Sequence, residues 1–400
     1  MKLNVGVGHD GIHTKILKNA TLELLIKLSK FFNSCFNHSF LPTSMLIGEI
    51  KPNVKDTKKS LNDSNNYRPI MISSNLLKVY EMIVLNVLES KVTLNKFQFG
   101  YEKGSSTYEP ALLLKEVIKD RFKNKNGKVY ALFADLSKAF ERLNYRILLD
   151  ILIEKNFPYD IINSLMYYLR NQSAYVRWGG VNSNTMKIFI GTRQGGSISP
   201  FLFKLYVDKM ITNVNDVISD FDAPCKIGFL KINILAYADD VVLIAPSLAR
   251  LKCLYRVFAN SISFLKLVIN KTKTKCIIFN KNNRFVENEN ISFDSDEFEI
   301  CETYKYLGFL FHCNLNDSKD IDLRVNKFYS QYYSIKKPFS HIGSSAFYFL
   351  FILIVFLIMA LRFGTGLHFQ VKIALKYLKG LIVVLSRPFL IMINLAAITW

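Results

Sequence analysis

Leu22, Leu25, Leu28 and Phe32 recur at intervals of three and four, so residues 14–48 read as largely helical. A polar, charge-rich stretch from Lys51 to Asn66 follows and reads as an exposed loop, and residues 67–89 are mixed. Residues 97–106, with glycines at 100 and 104, suggest a loop or hairpin. The unbroken apolar run 129–134 fits a buried strand, and the apolar spacing from Ser137 to Leu149 fits a helix. Glycine and serine fill 191–199, where Ser199 is placed to cap a helix with Pro200 at its first position. Apolar runs 232–236 and 241–245 enclose Tyr237-Ala238-Asp239-Asp240, the pattern of a tight β-hairpin. Residues 262–268 and 276–279 flank the polar stretch 270–275. No internal repeat and no low-complexity linker divides the chain.

The last segment differs in kind. No Asp or Glu follows Asp322, and 346–361 is uninterrupted apolar sequence. A second stretch, 381–400, is broken only by Ser386, Arg387, Pro388, Asn394 and Thr399. The first run is shorter than the ~20 residues of a usual membrane helix. A membrane segment, a buried helix and frameshifted sequence are all consistent with this tail.

Composition narrows the class. Half of the 400 residues are hydrophobic, enough for a large core, and 52 Lys and Arg against 32 acids give a formal charge of +20. That excess favours polyanionic partners, nucleic acid or an anionic membrane. Six scattered cysteines form no CxxC pair, which argues against a disulfide scaffold or a zinc module and for a reducing compartment. The polar N-terminal residues carry no signal-peptide core, so an intracellular location, nucleus or cytoplasm, is expected.

The chemistry centres on Asp239 and Asp240. Adjacent carboxylates at a hairpin tip repel each other and need a cation, and hard divalent ions such as Mg²⁺ prefer oxygen ligands. Two such ions can position the attacking and leaving oxygens of an in-line phosphoryl transfer. Asp-Asp also serves as plain turn chemistry on a solvated loop. Asp135 ends the 129–134 strand, where it could complete a carboxylate cluster or cap the following helix. Phe140 belongs to an apolar stripe with Leu143 and Ile147. Arg193-Gln194-Gly195-Gly196-Ser197 offers a polar side chain beside two glycines just before a helix, where backbone can approach a ligand closely.

Five stretches occur in one order: Asn66-Tyr67-Arg68-Pro69-Ile70, Ala134-Asp135-Leu136-Ser137-Lys138-Ala139-Phe140, 193–200, 236–240 and 269–274. Together they closely resemble the successive motifs of reverse transcriptases from non-LTR (LINE-type) retrotransposons. Asp10-Gly11-Ile12 and Tyr306-Leu307-Gly308 resemble that family's outlying motifs. The resemblance implies an α+β right-hand polymerase, with an antiparallel palm sheet, helical fingers and a reduced or degenerate thumb. It implies an N-terminal helical extension over 1–50, fingers and palm over 51–310, a thumb beginning at 311–342 and the apolar basic tail at 343–400.

Residue by residue, it implies that Asp135, Asp239 and Asp240 bind two Mg²⁺, with Mn²⁺ as a possible substitute. Phe140 matches the sugar-discriminating aromatic, Arg68 a fingers arginine on the incoming triphosphate, and Gln194, with Gly195, the residue beside the nascent base pair. Tyr237 lies in the metal motif. Lys273 matches a lysine that protonates leaving pyrophosphate, with Lys271 and Lys275 close by. Tyr306, Leu307 and Gly308 match the primer grip. The implied partners are an RNA template, a DNA primer and dNTPs.

The chain departs from the pattern in several places. Glu141 stands where the family usually has Asp, and the segment after Lys51 lacks the Pro-Lys pattern common upstream of Tyr-Arg-Pro. Only nine residues precede Asp10, so a separate endonuclease would have to cleave the target. Cys301, His312 and Cys313 find no partners with the spacing of a Cys/His knuckle, and the pattern cannot be followed beyond about Tyr333. Two other functions stay open: an inactive nucleic-acid-binding relic, and a protein held at a membrane by its tail.

Overall fold

A computed structural model describes residues 7–336 apart from 103, 125–126, 218–223, 282–289 and 295. The chain opens with helices α1 (Thr14–Lys18), α2 (Leu22–Asn37) and α3 (Thr43–Leu46), then strands β1 (Ile47–Val54) and β2 (Tyr67–Ser73). Helices α4 (Asn75–Lys91) and α5 (Tyr108–Arg121) precede strand β3 (Lys128–Asp135). Helices α6 (Tyr145–Glu154) and α7 (Tyr159–Asn171) lead to strand β4 (Ser173–Trp178) and the two-residue strands β5 (Val181–Asn182) and β6 (Met186–Lys187). Helix α8 (Ser199–Asn215) follows, then short strands β7 (Lys226–Ile227) and β8 (Leu230–Lys231). The hairpin β9 (Ile234–Tyr237) and β10 (Asp240–Ala245) runs into helix α9 (Leu248–Phe264) and strand β11 (Lys275–Asn280). Strands β12 (Asn290–Phe293), β13 (Asp296–Ile300), β14 (Thr303–Tyr306) and β15 (Phe309–His312) complete a first compact unit that ends at Asp317. The second unit starts at Ser318, and helix α10 (Ser318–Lys336) is its described part.

Strands β3 and β10 are apolar on both faces because both faces are covered, and they form the centre of a six-stranded sheet ordered β12-β13-β11-β3-β10-β9. All its pairings are antiparallel except β11 with β13. A second sheet, β2-β1-β4-β5 with β6 on β4, lies among the N-terminal helices. Phe133, Leu243, Phe258, Phe279 and Leu202 are almost wholly buried in one continuous core. The arrangement is an α+β right-hand polymerase fold, with the six-stranded sheet as palm.

Several local expectations are corrected. Residues 51–54 are not loop but the end of β1, held by seven register pairs to β2. No helix starts at Ser137. Lys138 takes φ +49°, a 3-10 turn covers Phe140–Arg142, and α6 starts at Tyr145 because Asn144 accepts hydrogen bonds from the Arg146 and Ile147 N–H groups. Ser199 lies inside α8 and does not cap it, since Ile198 holds the cap position without a side-chain bond. Among the described residues no helix is long and apolar enough to cross a membrane, and the tail stretches 346–361 and 381–400 lie outside those residues.

Candidate active site

The β9–β10 hairpin turns on Ala238 and Asp239, with Tyr237 paired to Asp240. Ala238 takes φ +56°, so the first central residue carries the positive φ that this kind of tight turn demands. A non-glycine residue held there costs about 1–3 kcal/mol, so its surroundings must enforce it. The 97–101 segment does so. Phe99 N–H donates to Ala236 O (2.8 Å), Ala236 N–H donates to Phe97 O (2.9 Å), and Gln98 Oε1 accepts from Ala238 N–H (3.2 Å). Gly100 lets this segment lie flush, since a Cβ there would stand 2.4 Å from Ala238 N.

Asp240 is the register partner of Asp135 on β3. Residues directly opposite on antiparallel strands share a face, with Cβ atoms about 4.5–5.5 Å apart. Tyr237, Asp240 and Asp135 therefore form one row across the palm, and continuing the β3–β11 register adds Lys273 beside them. Lys273 Nζ lies 3.3 Å from Asp135 Oδ2 and 3.4 Å from Oδ1. Its two neighbours point elsewhere, Lys271 to Asp296 and Lys275 to Glu299. The loop before β11 is tied to the same strand end, because Asn270 N–H donates to Asp135 O at 2.8 Å.

The charges in this row strain one another. Burial pushes Asp240 up to about 6, and the negative charges of Asp239 and Asp135 add to it while Lys273 opposes. Asp239 is raised for the same reasons, chiefly burial and then Asp135, with Lys273 again opposing and Glu141 adding. Carboxylates that resist ionisation together are a donor set matched to hard divalent cations. The three do not close into one cage with ligand atoms all within 4.8 Å; among the described residues only Glu302, His312 and Cys313 do so. A pair of ions about 3.5–4 Å apart suits the wider spacing.

The remaining candidates surround this row. Phe140 stacks on Phe203 at 4.7 Å and meets Tyr101 edge-on at 5.8 Å, so its ring is fixed in place. Gln194 donates to Glu141 Oε1, and its backbone O accepts from Met71 N–H at 2.8 Å, joining this loop to β2. Gly195 takes φ +109°, and a Cβ there would meet Met71 O at 2.9 Å. Arg68 stands exposed on β2. At the β14–β15 turn Gly308 is exposed and Leu307 half-buried, but Tyr306 is buried. The Tyr306 hydroxyl has no hydrogen-bond partner among the described residues, and burial and then Asp240 raise its pKa. Tyr304 and Tyr306 both pack on Phe133, two residues before Asp135 and hence on the same face.

Two supports were not foreseen from sequence. Gln98 holds the hairpin, as above. Glu81, fully buried on α4, accepts from the Tyr168 hydroxyl (2.8 Å) and from Ser197 N–H (2.6 Å). Arg193, 2% exposed, donates to Gln172 (3.1 Å), Ser73 (3.0 Å) and the carbonyl of Leu46. This buried network anchors both ends of the Gln194-Gly195 loop. A glutamate among Leu77, Tyr80, Val84 and Leu88 on the buried face of α4 was the signal available.

The family model described as reverse transcriptase (RNA-dependent DNA polymerase) matches residues 55–311. The chain is 28% identical over 262 residues to a Pol polyprotein from the type-1 retrotransposable element R2 of Popillia japonica, covering 63% of this chain and 36% of that protein. It is 25% identical over 251 residues to the RNA-directed DNA polymerase from mobile element jockey of Drosophila melanogaster, 62% of this chain and 26% of that one. The chain thus spans about a third or less of these relatives. A solved telomerase from Candida tropicalis in complex with a fragment of telomeric RNA aligns with TM-score 0.47 and 15% identity, over 88% of this chain and 60% of that one. With the family model matched over more than half its length, the chain belongs to the reverse transcriptase (RNA-dependent DNA polymerase) family.

Proposed function

We propose that this chain is an RNA-directed DNA polymerase of the non-LTR retrotransposon type, extending a primer 3′-hydroxyl with dNTPs along an RNA template. The observation that carries this reading is the register pairing of Asp135 with Asp240, with Asp239 at the adjoining turn. Two Mg²⁺ ions, or Mn²⁺ in their place, would be held by these three carboxylates and would supply Lewis-acid activation of the hydroxyl and charge neutralisation on the triphosphate. Lys273, exposed and beside Asp135, donates a proton to leaving pyrophosphate. Arg68 meets the triphosphate from the fingers with a forked guanidinium. Phe140, braced by Phe203, excludes a 2′-hydroxyl. The backbone at Gln194 and Gly195 forms the wall beside the new base pair.

The tip at half-buried Leu307 and exposed Gly308 contacts the primer end, with buried Tyr306 as its support. The excess of basic residues holds template and primer through their phosphates, with salt-sensitive, sequence-independent affinity. Helices before β1 extend the fingers, 51–310 forms fingers and palm, and the thumb begins within 311–342. The enzyme works inside the cell, in nucleus or cytoplasm. The second reading, a binding relic, shares this fold and lacks turnover.

Primer extension on an RNA template with dNTPs and Mg²⁺ separates them, run beside the Asp239→Ala, Asp240→Ala double variant. Incorporation by the natural chain alone supports the polymerase. Template–primer binding without incorporation leaves the relic.

A further inference from the structure

We infer that the open end of the β14–β15 hairpin is a zinc site, formed by Glu302, His312 and Cys313 and separate from the aspartate row. Their ligand atoms, one from each residue, all lie within 4.8 Å of one another. Glu302 Oε1 is 3.4 Å from His312 Nε2, and Cys313 Sγ is 3.6 Å from His312 Nδ1. Tetrahedral zinc, with bonds of about 2.0–2.3 Å, sets its ligand atoms roughly 3.4–3.6 Å apart. Thiolate, imidazole and carboxylate together suit zinc and not Mg²⁺. Sulfur and carboxylate now face opposite ring nitrogens, so an ion engages one nitrogen and Glu302, at the more exposed edge, turns toward it. Asn314 N–H lies 3.3 Å from Nδ1, a contact that an ion bound at this nitrogen would displace.

The backbone explains how neighbouring residues reach one point. His312 is the last residue of β15 and pairs with Thr303, and Cys313, just past the strand end, lies opposite Glu302. Both are buried. Cys313 N–H donates to Glu302 O (2.9 Å), and Cys313 O accepts from Asn280 N–H at the end of β11 (2.9 Å). An ion here would clip the open end of the hairpin, which the Cys313 O–Asn280 N–H bond already ties to the palm sheet. Binding replaces the thiol S–H bond with a Zn–S bond and releases one proton to solvent.

The test uses the full chain, stripped with a chelator and titrated with Co²⁺ and then Zn²⁺ in the presence of Mg²⁺. One equivalent should bind, with a thiolate-to-cobalt charge-transfer band, displacement by zinc, proton release and a rise in Tm. Cys313→Ser should weaken binding by about 100-fold or more, and Glu302→Gln, which keeps a hydrogen-bonding side chain beside His312, by about 10–100-fold. Asp239→Asn with Asp240→Asn should leave the band unchanged. No uptake would overturn the proposal, leaving a His312–Glu302 contact with a neighbouring thiol. A band that survives in correctly folded Cys313→Ser would overturn it too, by moving the site to another thiol.

Discussion

Replacing Asp240 by Asn should stabilise the metal-free protein while abolishing its chemistry. Asp240 sits at about 6 in the folded chain against an ordinary 3.8, because it is buried beside Asp239 and Asp135. The folded state therefore holds this proton more tightly than the unfolded state. Stability from this group is fully present below about pH 4 and is lost as pH rises through about 6. The gap corresponds to about 3 kcal/mol if wholly felt. Asp240 is only half-buried, so roughly 1–2 kcal/mol survives screening. Asn keeps the shape and removes the charge. Urea unfolding of both proteins, free of metal, should show the variant more stable by that amount at about pH 7.5, with the advantage fading toward about pH 4. Added Mg²⁺ should raise the midpoint of the natural chain and leave the variant's nearly unmoved. A variant no more stable at neutral pH, or an advantage that does not depend on pH, would refute the electrostatic account of this site.

Gly100→Ala places a Cβ 2.4 Å from Ala238 N, so it should cost about 1–3 kcal/mol and cut primer extension more than template–primer binding. Glu81→Ala leaves the buried Tyr168 hydroxyl and the Ser197 N–H without their acceptor and should lower stability by about 2–4 kcal/mol in urea titrations. Lys273→Met removes the cation that lowers the pKa of both Asp239 and Asp240. The acidic limb of the pH–rate profile, followed from about pH 5 to about pH 8, should then move to higher pH. An unmoved limb would detach Lys273 from the carboxylates.

The sequence by itself determined the central strands of the palm and the ordered motifs. The run 129–134 is apolar throughout and the flanks of Tyr237–Asp240 are apolar but for Asn233, and a strand covered on both faces is the arrangement that satisfies such runs. Local chemistry was harder to place where a turn competes with a helix, as between Ser137 and Asn144, because the apolar spacing of Phe140 and Leu143 is equally met by a buried turn. Only the tertiary structure decided which residues share a face. The pairing of Asp135 with Asp240 spans 105 positions of chain, and it follows from sheet register, a property of two strands together. The same holds for Gln98 beneath the hairpin, for Glu81 under the Gln194-Gly195 loop, and for Lys273 as the lysine beside Asp135. Glu302 and Cys313 are brought together because β14 and β15 close a hairpin at its far end, so their approach is set by strand pairing and carries no motif spacing for a reader of sequence to find.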